Sequence, residues 1–111
     1  MSQELLRHLL ATIAYRFHCA AGDLDEATAG RDPGAGARSC AGLTAHCIQV
    51  LHLARRAYRP EVPAPALRGM DWNGLRATFH RQLEALDEHL RRGDLPRDPD
   101  LPVLLQGPFA D

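Results

Sequence analysis

Three stretches with the apolar spacing of an amphipathic helix, separated by two connectors rich in glycine or proline, constrain this chain more than any other feature. In residues 39–58, SCAGLTAHCIQVLHLARRAY, the apolar positions Leu43, Cys47, Val50, Ala54 and Ala57 recur at intervals of three and four. That is the spacing of one helical face at about 100° per residue. Ser39 suits the N-cap, because its hydroxyl can accept a bond from a free backbone N–H of the first turn. On this wheel His46 lies roughly 60° from Leu43, at the margin of the apolar stripe, and His52 falls on the opposite side, facing water.

A first helix is expected over residues 2–21. Leu6, Leu9, Leu10, Ile13, Phe17 and Ala20 make its broad apolar face, and Gly22 is a natural stop. His8, Tyr15 and His18 fall toward the other side. A third helix is expected after Asp71, a plausible N-cap, with Trp72, Leu75, Phe79, Leu83, Leu86 and Leu90 in helical register and Gly93 closing it. His80 sits at the edge of that face and His89 farther round. The carboxylates Glu84, Asp87 and Glu88 read as a solvated face.

The connectors decide how such helices can be joined. Residues 22–38, GDLDEATAGRDPGAGAR, carry glycines, a proline and mixed charge, which argues against a packed element. This length is long for a helical hairpin and suits a crossover or a loop shaping a pocket mouth. Residues 59–70, RPEVPAPALRGM, hold three prolines and should run extended and stiff as a second crossover. In the tail, Asp98-Pro99 can start a short turn over residues 101–105. Pro108 then looks like the first residue of a further helix just before the chain stops. The expectation is a single domain over 1–111 that is incomplete at its C-terminus.

Composition excludes several classes. At 45% hydrophobic residues the chain is globular, and a formal net charge of −1 offers no electrostatic capture of nucleic acid. No apolar run approaches the roughly 20 residues that span a bilayer, and MSQELLRHLL has no leader pattern, so a cytoplasmic protein is expected. Cys19, Cys40 and Cys47 form no C-x-x-C pair. Cys40 and Cys47 would stand about 10.5 Å apart along one helix, too far for a disulfide, and all three are expected reduced and buried.

Four segments, LLRHLLATIAYRFHCAAG, RSCAGLTAHCIQVLHLA, FHRQLEALDEHL and LLQGPFAD, resemble in order those of the DinB/YfiT-like superfamily of metalloenzymes. The resemblance implies an all-α, up-and-down four-helix bundle with its fourth helix missing here. It implies a divalent metal, zinc or nickel, held by three histidines. Only one of these, His46, has a counterpart in this chain; the other two would follow LLQGPFAD. In the intact family such a centre activates water or a low-molecular-weight thiol for transferase or hydrolase chemistry. Two function classes follow for this chain. One is an incomplete and inactive copy of that enzyme, with the metal not stably bound. The other is a non-catalytic helical module that completes its bundle by homodimerisation or by binding a partner helix. Either way the faces around Leu9, Ile13, Val50 and Phe79 should be partly uncovered.

Overall fold

The computed structural model describes residues 2–97 of the 111-residue chain. These residues form α1 (Gln3–Ala21), α2 (Glu26–Ala29), α3 (Cys40–Tyr58) and α4 (Trp72–Arg92), with no strand among them. The expected turn over residues 101–105 and the helix start expected at Pro108 lie outside the described residues.

Each helix starts where its capping chemistry allows. The Ser2, Asp25, Ser39 and Asp71 side chains accept from the backbone N–H of Leu5, Thr28, Gly42 and Gly74, satisfying donors that the first turn leaves free. Gly93 ends α4 in the left-handed conformation at φ 75°, where a side chain would be strained.

The first connector corrects the expectation of an unpacked loop. It contains α2, and Ala29 is completely buried in a cluster with Ala21, Ile48, Trp72, Leu75, Phe79 and Leu83. Two bonds anchor it. The Glu26 carboxylate accepts from the Trp72 backbone N–H at 2.6 Å, and the Leu24 carbonyl accepts from the Trp72 indole N–H at 3.0 Å. Glycine-rich composition hid one short apolar turn, because four residues are too few to show a period.

The up-and-down order also needs correction. Arg55 bonds Gln82 and Tyr58 stacks on His89, so α3 and α4 run parallel. Phe17 packs on Phe79 while Arg7 pairs with Asp87, so α1 runs antiparallel to both. The order is up, down, down. The proline-bearing connector makes this possible, since a dozen extended residues reach about 40 Å and the 19-residue α3 is only about 28 Å long.

α4 is the axis on which the others pack. Trp72, Leu75, Phe79, Leu83 and Leu86 are all buried, as their spacing foretold. The expectation that Phe79 would be uncovered fails, because the Phe17 ring covers it with centroids 4.3 Å apart. On α1 and α3, however, only part of the apolar stripe is buried. α1 presents Leu10, Ala14 and Phe17 to the core, while Leu9 and Ile13 stay 42% and 46% exposed and Ala20 is exposed. α3 buries Thr44, Ile48, His52 and Ala57, while Leu43 and Val50 stay 52% and 40% exposed. His52, expected in water, is thus inside, and His46 is exposed. Cys19 is exposed as well; Cys40 and Cys47 are half-buried, and all three are free.

The buried face of α3 gives a direct test. Ile48→Ala should cost about 2–5 kcal/mol of stability in urea unfolding, because Ile48 has no exposed surface. Leu43→Ala should stay within about 0.5 kcal/mol, although the sequence pattern places Leu43 on the core stripe.

Candidate functional site

His46, the ligand position implied by the resemblance, is an exposed residue on the outer side of α3. His8 and His18 are exposed on α1, His80 is half-buried against Phe17, and His52 and His89 are buried on α3 and α4. Among the described residues no three His, Cys, Asp or Glu side chains converge closely enough to hold a metal ion. A three-ligand zinc site needs donors within about 2.0–2.3 Å of one point. The described residues therefore do not fit the zinc or nickel that the resemblance implies. Calorimetric titration should find no stoichiometric zinc or nickel binding, and His46→Ala should leave that result unchanged.

His52 lies far from the apolar stripe on the wheel, yet it is buried, because the face of α3 turned to the core is only partly that stripe. The His52 Nδ1 is buried without a hydrogen-bond partner. Burial, with the charges of Arg56 and Arg55 adding to it, pushes its pKa below the ordinary histidine value. The unfolded chain, titrating near 6.5, then takes up a proton before the folded one. Stability present above about pH 6.5 is lost as the pH falls toward the lower folded value. The drop in urea midpoint between pH 7 and pH 5 should accordingly be smaller in His52→Leu than in the wild type.

Two features of the surface can meet other molecules. The first is an apolar trough. α1 and α3 both lie along α4 but barely touch each other. The α4 residues facing α1 (Phe79, His80, Leu83, Asp87) and those facing α3 (Thr78, Gln82, Ala85, His89) are centred roughly 145° apart on the wheel. Arg7, His8, Ala11 and Ala14 line the flank of α1 turned away from α3, together with His80, Glu84 and Asp87. Ile13 and Leu9 therefore lie on the flank turned toward α3. On α3, Cys47 and Leu51 pack inward on the matching flank, and Ala54, Leu43 and Val50 follow round the helix toward solvent. Leu9 and Ile13 thus form one lip of the trough and Cys47, Ala54 and Leu43 the other. His46 lies beyond the second lip, on the side away from the opening.

The second feature is a polar recess of about 420 Å³ where the C-terminal ends of α3 and α4 meet. His89 forms part of its wall. By the spacing of the apolar residues His89 lies away from the apolar face. Thr78, Gln82, Ala85 and His89 nevertheless recur at four, three and four residues. That spacing marks the side of α4 against α3, and it was hidden because three of the four residues are polar.

No described helix is long and apolar enough to cross a membrane. Compared with protein-family models, curated proteins and solved structures, the chain matches none.

Proposed function

We propose that this domain is a non-catalytic helix-accepting module, three sides of a DinB-like bundle whose open side receives an apolar helix face from a second copy of the chain. The observation that carries the reading is the trough, with Leu9, Ile13 and Leu43 on its lips each more than 40% exposed along two helices. Single exposed leucines are ordinary, but two facing rows beside a packed core make a contiguous apolar surface of the kind that finds a partner.

A second copy suits the trough because it carries the same two rows. In a twofold pairing the α1 row of each chain can enter the trough of the other, closing the interface without leaving a row open. Magnitudes favour a weak association. Covering each half-exposed side chain contributes about 1 kcal/mol, and these chains together have to offset the 4 kcal/mol or more of freedom lost on docking. That balance puts the dimer at tens of micromolar or weaker.

The metal-dependent reading, with zinc or nickel and a low-molecular-weight thiol, requires two further histidines within reach of His46 from outside residues 2–97. His46 lies on the side of α3 away from the trough, so a helix seated there does not approach it. This is why the module is preferred to the enzyme.

Sedimentation equilibrium should show a monomer–dimer equilibrium at concentrations on the order of tens of micromolar and above. Leu9→Glu with Ile13→Glu should shift it to monomer with little change in unfolding midpoint, since both side chains are already half in water. A wild-type chain that stays monomeric at about 100 μM without binding an apolar dye would overturn the reading.

A further inference from the structure

The proline-bearing connector does more than return the chain to the start of α4. Where it passes α3 and α4 it walls a cleft of about 690 Å³, which shares no residue with the trough or with the recess around His89. Val62, Pro63 and Pro65 give that wall an apolar surface, and the two prolines have no N–H to offer. On the helix side lie Thr78 and Gln82 of α4, each 4% exposed, with Arg55 of α3 and Arg81 of α4.

The two arginines are the unusual members, because each is held by a neutral side chain. Arg55 donates through Nη1 to Gln82 Oε1 at 3.1 Å, and Arg81 donates through Nη2 to Thr78 Oγ1 at 2.9 Å. Among the described residues Arg7, Arg59, Arg91 and Arg92 pair with carboxylates; neither Arg55 nor Arg81 does. Arg55 is half-buried, and its Nε is buried with no hydrogen-bond partner. A guanidinium drawn out of water without a counter-charge is costly, and an anion beside it offsets that cost. Glu84 also lines the cleft, so two cations stand against one acid and a positive charge is left over. Thr78 and Gln82 are four residues apart, so the two groups that hold the arginines lie about 6 Å apart along α4.

We propose that this cleft binds a small organic monocarboxylate with an apolar body. A carboxylate has two oxygens and can accept from one arginine with each, and the guanidinium fork matches its geometry. The apolar body then lies against Val62, Pro63 and Pro65. Glu84 repels a second negative charge, which favours a monocarboxylate over a diacid. The volume falls within the range for small-molecule sites.

The test uses the full chain with hexanoate as the probe. Hexanol, the body without the charge, and acetate, the charge without the body, are the controls at equal ionic strength. Saturable calorimetric binding of hexanoate is expected, about tenfold or more tighter than that of either control. Arg81→Met should weaken it about tenfold, the loss of one charge-assisted contact. Its ligand-free unfolding midpoint should change little, because Arg81 is exposed. Arg55→Met, which keeps the aliphatic stem, should weaken binding as much. Arg31→Ala, in the exposed part of the first connector, should bind as the wild type does. Equal binding of hexanol or acetate, no saturation up to roughly 10 mM hexanoate, or undiminished binding by Arg81→Met would overturn the proposal.

Discussion

Trp72 is the residue on which the arrangement of this domain depends. It opens α4, is 2% exposed, and makes polar contacts through both its backbone and its side chain. Its backbone N–H, one of the donors that a helix start leaves free, goes to Glu26, and its indole N–H goes to the Leu24 carbonyl. Both partners belong to the segment between α1 and α3. The same ring lies 6.3 Å from Phe17 of α1. A single side chain thus sets the end of α1, the path of the first connector and the start of α4 against one another, and Ala29 is drawn into the core as a result.

With that end fixed, the proline-bearing connector determines the other. It returns the chain to the start of α3 before α4 begins, so the two helices lie parallel and their C-terminal ends come together. Tyr58 and His89 meet there, and the chain after Gly93 bends back until Arg97 reaches Ala57. The polar recess is a product of this parallel order. In an up-and-down bundle Tyr58 would lie beside the start of α4 and His89 would have no aromatic neighbour from α3.

The same order leaves α1 and α3 on two flanks of α4 with an opening between them. Phe17, Leu10 and Leu51 close the bottom of that opening over Phe79, but nothing among the described residues closes its top. A fourth helix is the usual solution for a bundle of this kind, because each apolar stripe has to be covered by something. The trough is therefore the uncovered remainder of a two-sided packing problem that three helices solve on one side only.

Sequence by itself determined the three long helices and the residues that cap them, but not the short α2. Ser39, Asp71 and Gly93 act through bonds to neighbours within three or four residues, and the apolar period of α4 is continuous because α4 is packed from both flanks. What only the tertiary structure decided is which side of α1 and α3 turns inward. On those helices the apolar stripe is wider than the contact with α4, so the strongest period marks the stripe and not the part of it that is buried. Ile48 and His52 were therefore on the buried side while Leu43 and Val50 were not, and His46 and His52 exchanged the places their spacing suggested. The recess around His89 was illegible for a related reason. Tyr58, His89, Asp94 and Arg97 come from two helices and the turn after them, and their proximity exists only once the connector has laid α3 parallel to α4.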